Sequence, residues 1–235
     1  MTEHPFAYLF PFLAAMALIQ EIFKLIMKRS AGHPKQPEHS KPPEKLSFTS
    51  LAVIGSALLA AFTAALLIRL PVNGIPLAGW LLGLSTNFSI PLTMLLFIRV
   101  WRSATGAPFL DRRALRATWI FGLITGLVLY PPALGLTFGN TGGLDPYAQG
   151  YGSAWLSLLL LALTISLLCM KNHFGVVLVL TMLAYDLQLL ESPNLWDYLV
   201  DPILTLISMV ALVTEAISLL RHRYTPRPTP ASPTS

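Results

Sequence analysis

Seven apolar runs, most of them close to the length a helix needs to cross a bilayer, dominate this chain. They cover approximately residues 6–27, 48–70, 76–101, 117–136, 154–170, 174–190 and 202–220. A helix rises about 1.5 Å per residue, so roughly 20 apolar residues cross the hydrocarbon layer. Charged residues make up 11% of the chain, against about 25% for a soluble domain. With 54% of its residues hydrophobic, a soluble fold of this size could not hide its apolar surface, so the predicted solvent is lipid.

The expected fold is therefore an all-α polytopic bundle of seven transmembrane helices. The first run barely reaches spanning length, and the alternative is six spans with residues 6–27 lying in the interface. Residues 28–47 hold four prolines and five Lys or Arg, which reads as a basic, flexible cytoplasmic linker. Residues 1–223 form one membrane domain, and the Pro/Thr/Ser-rich tail 224–235 is expected to be disordered. The opening MTEHP has no basic n-region and no small-residue cleavage site follows, which predicts that no signal peptide is removed.

The basic residues orient the chain. In the seven-span arrangement fifteen of the sixteen Lys and Arg fall on one side, and Arg69 alone falls on the other. Loops rich in Lys and Arg stay in the cytoplasm, so the linker, the 102–116 loop, the 171–173 turn and the C-terminus are predicted to be cytoplasmic. The expected location is the plasma membrane, in a bacterium the inner membrane. The charge of +5 is thus a membrane-orientation signal, and no nucleic-acid partner is expected.

The opposite side is acidic. Asp186, Glu191, Asp197 and Asp201 fall within sixteen residues, with Trp196 and Tyr198 among them and no Lys or Arg. Asp145 and Tyr147 lie in the preceding connection on that side, whose span 138–153 is long for a bundle loop. These two connections are expected to meet as one lid. Asp145-Pro146, Ser192-Pro193 and Asp201-Pro202 each place a preferred N-cap before a preferred first helical residue, and for Asp145 and Asp201 capping reads ahead of chemistry. Asp197 has no such account. Asp186 lies inside an apolar run, where an ionisable side chain calls for a partner, and Arg69 is the one base expected on that side. Glu215 is expected to pair with Arg221 or Lys171.

The third run is interrupted by Ser85-Thr86-Asn87-Phe88-Ser89-Ile90-Pro91. The expected form is one helix kinked at Pro91, with the Asn87 carbonyl losing its helical donor and nearby polar side chains repairing the loss. A midplane ligand site at Asn87 is the alternative. Gly79-xxx-Gly83 and Gly122-xxx-Gly126 offer small-residue faces to other membrane proteins. The aromatics near the acidic side, including Tyr130, Trp155 and Tyr185, read as an interfacial belt.

No chemistry-bearing motif appears: there is no HExxH, G-x-S-x-G, Walker A or dinucleotide fingerprint. One cysteine, Cys169, supports neither a disulfide framework nor a multi-Cys metal site, and no His lies within an apolar run. No catalytic residue, cofactor or metal is predicted. The leading expectation is a non-catalytic partner or accessory subunit of an envelope assembly. The alternatives are a small transporter or lipid-handling protein with an acidic vestibule, and an outer-leaflet enzyme binding a divalent metal through the acids.

Overall fold

The computed structural model describes residues 5–30, 46–84, 87–134 and 145–224, and the protein is mostly helical over them. Most of the 28–47 linker, Ser85 and Thr86, residues 138–144 and all of the tail but Tyr224 lie outside the described residues. Three helices among those described are long and apolar enough to cross a membrane: Phe6–Ile26, Arg112–Pro132 and Pro202–Arg221. Gly55–Leu67, Ala154–Cys169 and Phe174–Asp186 are apolar but shorter.

After a 3₁₀ turn, Pro5–Tyr8, come α1 (Leu9–Ser30) and α2 (Leu46–Leu67). Strands β1 (Pro71–Val72) and β2 (Ile75–Pro76) form a minimal hairpin. Its two-residue turn is Asn73-Gly74, both with positive φ (52° and 79°), the backbone that matches strand twist. The next helices are α3 (Leu77–Leu84), α4 (Ile90–Thr105) and α5 (Arg112–Ala133). A second 3₁₀ turn, Ala148–Gly150, precedes α6 (Ala154–Cys169), α7 (Phe174–Asp186), the short α8 (Leu195–Leu199) and α9 (Pro202–Tyr224).

The expected third span is not one kinked helix. It is two, α3 and α4, with Asn87, Phe88 and Ser89 in non-helical backbone between them. Pro91 falls in the first turn of α4, where its missing N–H costs nothing, and so it starts a helix instead of bending one. The 102–116 region is also more helical than a loop: α4 continues to Thr105, and Asp111 caps α5 by accepting from the Ala114 N–H at 3.0 Å.

Helix α4 is central, packing against α1, α2, α7, α8 and α9. Its core side meets α5, α6 and α7 in one cluster containing Ile98, Ala114, Leu160, Phe174 and Leu178. Helices α5 and α9 run antiparallel along a close seam. A Cβ built on Gly122 would lie 2.6 Å from Ser208 Oγ, and one on Gly126 would lie 2.3 Å from Thr205. The Gly122/Gly126 face, read as open to partners, is thus covered by α9. Gly83 is exposed with nothing within 4 Å, while Gly79 meets only its own hairpin at Ile75 and Pro76. At the far end of the α5–α9 seam Arg116 grips Glu215 through both Nε and the guanidinium tip, so Glu215 has a partner on α5 that the sequence reading did not name.

Candidate functional site

The polar cluster at the end of the bundle opposite Arg116 is built around Asp201, which is 3% exposed. Its carboxylate works in two directions. Oδ1 accepts the Leu204 N–H of α9 at 2.8 Å, which is an N-cap. Oδ2 accepts the Ser89 N–H at 3.0 Å and the Ser89 hydroxyl. Ser89 in turn caps α4, its Oγ accepting from the Leu92 N–H at 3.4 Å. One carboxylate therefore serves the positive ends of two helices, whose dipoles both favour its charge. This arrangement explains how an acid is buried with no Lys or Arg paired to it among the described residues.

The two loops expected to meet do so. Trp196 Nε1 donates to the Pro146 carbonyl at 2.8 Å, and Asn194 Nδ2 donates to the Tyr147 carbonyl at 3.0 Å. The Tyr147 hydroxyl donates to Asp197 at 3.0 Å, and the Ser192 hydroxyl donates to the same carboxylate. Gly150 is buried so tightly that a Cβ there would lie 1.7 Å from Asn194 Oδ1. Burial first, and then the Asp197 charge, push the Tyr147 phenol well above its ordinary range. Burial likewise raises the Tyr198 phenol, whose oxygen both accepts from the Leu190 N–H and donates to the Leu190 carbonyl.

The cap of α8 is Asn194, whose Oδ1 accepts the Trp196 N–H at 3.0 Å, and not Ser192 as the Ser-Pro pair suggested. Ser192 instead orders the turn by accepting from the Asn194 N–H. Asp145 accepts from the Tyr147 N–H at 2.9 Å, a turn motif before the 3₁₀ segment. Asn194 was not singled out from sequence. Its position two residues before a Trp in a Ser-Pro-Asn turn was the available signal.

The expected Asp186–Arg69 pair does not form. Both side chains are exposed, and the ion pairs found among the described residues, which include Lys24–Glu21, Arg99–Glu21, Arg116–Glu215 and His173–Asp111, involve neither of them. The reason is placement: α7 packs on α4, α5, α6 and α8, whereas α2 packs on α1 and α4. Helix α7 also ends at Asp186, because Gln188 takes a left-handed φ of 50° and the Leu189 N–H closes back on the Ala184 carbonyl. Asp186 is thus an exposed, helix-terminal residue and not one in the middle of a helix. Glu191 is exposed as well.

Asp186, Asp145, Glu191, Asp197 and Asp201 do not converge: among the described residues no three His, Cys, Asp or Glu side chains are grouped as metal ligands. Comparison with protein families, curated proteins and solved structures returns no match.

Proposed function

We propose that this protein is a multi-pass plasma-membrane protein with a cytoplasmic C-terminus that serves as a non-catalytic accessory subunit of a larger membrane assembly. In this reading six or seven apolar segments cross the bilayer, and the basic residues on the Arg116 side hold that side in the cytoplasm. The polar groups at the other end serve to join and cap helices.

The observation that carries the reading is the state of α9. It is the most apolar of the three spanning-length helices, with a mean hydropathy of 2.2, yet only 11% of that stretch is covered by the rest of the chain. The corresponding stretches of α1 and α5 are 28% and 33% covered. A helix held along one glycine seam, with Leu206, Val210, Val213 and Ile217 exposed on one flank, suits a neighbouring transmembrane helix. One further feature favours this reading over transport: two cavities among the described residues, of about 110 and 180 Å³, lie along α1, and neither is lined by Asp186 or Asn87.

The test is photocrosslinking in intact membranes from single positions along α9. Discrete protein adducts from Leu206, Val210, Val213 and Ile217, with lipid adducts alone from other exposed positions, are the expected result. Lipid adducts alone from every position would overturn the accessory role.

A further inference from the structure

The hairpin between α2 and α3 stands clear of the bundle, with residues 69–76 all exposed. Val72 and Ile75 are cross-strand partners, so their side chains share one face. The Trp80 indole N–H donates to the Val72 carbonyl at 3.1 Å and brings a third apolar side chain to the same place. All three are 45–48% exposed. A lone two-stranded hairpin is marginal in water unless its apolar side packs on something. About half of this apolar side has nothing from the rest of the described chain against it.

The surroundings fix its depth. Helix α2 carries no Lys, Arg, Asp or Glu between Leu46 and Leu67, and Leu58, Phe62 and Leu66 are exposed on it. The first charge beyond it is Arg69, which is exposed and forms no ion pair among the described residues. The chain does not run on outward from there. The Leu77 N–H donates to the Leu70 carbonyl and the Ala78 N–H to the Ile68 carbonyl, both at 3.0 Å. These bonds fold the hairpin back beside the last turn of α2 and hold it at the level of Arg69. An apolar flank that ends at an arginine, with a tryptophan beside it, has the chemistry of a lipid–water boundary. Strands with open edges are not tolerated in hydrocarbon, which keeps the hairpin in the headgroup layer. A protein partner fits less well. Three side chains fall far short of the roughly 800 Å² per partner that a stable protein interface buries.

We propose that residues 71–76 and Trp80 form a lipid-interface anchor. Val72, Ile75 and Trp80 enter the boundary between headgroups and acyl chains, and Arg69 faces the phosphates. The anchor sets the depth of α2 and α3 in the bilayer. It rests on membrane residence and is independent of the accessory role.

The test places one spin label at a time on the full-length protein in phosphatidylcholine vesicles. Labels go on Val72→Cys, Ile75→Cys, Leu158→Cys and Glu191→Cys in a Cys169→Ser background. Collision with oxygen, which concentrates in lipid, is compared with collision with a nickel chelate, which stays in water. The oxygen-to-nickel ratio at 72 and 75 should be several-fold above that at the exposed loop residue Glu191 and below that at Leu158, exposed on α6. A ratio at 72 and 75 equal to that at 191 would put the hairpin in water and overturn the anchor. Low collision with both reagents would mean that protein covers the patch, overturning its assignment to lipid. A water-like ratio at Leu158 would remove membrane residence itself, so the two failures are separable. A label-free check uses lipids brominated near the glycerol end, which should quench tryptophan emission less in Trp80→Phe than in the parent. Equal quenching would also overturn the anchor.

Discussion

Ser89 and Asp201, 112 positions apart, form a single buried cap: the serine starts α4, the aspartate starts α9, and each holds the other in place. Removing the carboxylate leaves the Ser89 N–H, the Ser89 hydroxyl and the Leu204 N–H without their acceptor at once. Asp201→Ala should therefore destabilise the protein by about 2–4 kcal/mol, the combined worth of a cap and a buried bond to a charged group. Asp201→Asn keeps an acceptor oxygen and should cost less. Asp186→Ala, at an exposed helix end, should stay within about 0.5 kcal/mol of the parent. Denaturant unfolding in micelles ranks the three, and an Asp201→Ala loss no larger than that of Asp186→Ala would refute the shared cap.

The α5–α9 seam predicts coupling between Gly126 and Thr205. Gly126→Ala forces a methyl against the Thr205 side chain and should cost about 1–3 kcal/mol through overpacking. Thr205→Ala opens that space, so the double variant should be more stable than the sum of the single losses predicts. Simple additivity would mean that the two helices part readily at this point.

Gly150 is the corresponding pivot of the joined loops. Gly150→Ala must displace Asn194 or Trp196, breaking the bonds to Pro146 and Tyr147. Protease should then cut between residues 145 and 153 at a dilution the parent resists. Gly83→Ala, which meets nothing, serves as the control and should leave digestion unchanged.

Alkaline titration should expose the Tyr147–Asp197 contact. The folded phenol sits above its ordinary value of 10.0, so this contact is fully present below about pH 10 and is lost as pH rises further, toward the folded value. Phenolate absorbance in the folded protein should therefore lag that of the unfolded chain. Tyr147→Phe should shorten the lag, and an unchanged lag in that variant would assign it to other tyrosines.

Orientation can be tested separately from function. Reporter fusions after residues 145 and 235 should fall in opposite compartments, as the distribution of Lys and Arg requires. The same compartment for both would reject the six-span and seven-span arrangements together.

The helical class was legible because apolar runs and low charge leave few alternatives to lipid. The division of the third run was written locally as well, in Ser89-Ile90-Pro91, a capping residue followed by a proline in the first turn. Reading Pro91 as a kink ignored that signal. The acceptor for Ser89 was not legible, since nothing near residue 89 points to residue 201. Asp186 misled for a related reason. Its depth was inferred from a run of apolar letters continuing to Leu190, but the helix stops at a left-handed Gln188, a conformation no side-chain pattern announces. The loop contact was foreshadowed by aromatics and acids on both sides, whereas its polar hinge, Asn194, looks in sequence like any turn residue.

The shared cap also has an order in time. Asp201 is made more than a hundred residues after Ser89, so while the ribosome is still working through α5 to α8 the start of α4 has no carboxylate to receive its serine. During that interval the Ser89 N–H and hydroxyl need another acceptor, which water can supply. The cap of α4 is therefore completed only once the start of α9 has been made, so these two helix starts lock together late in synthesis.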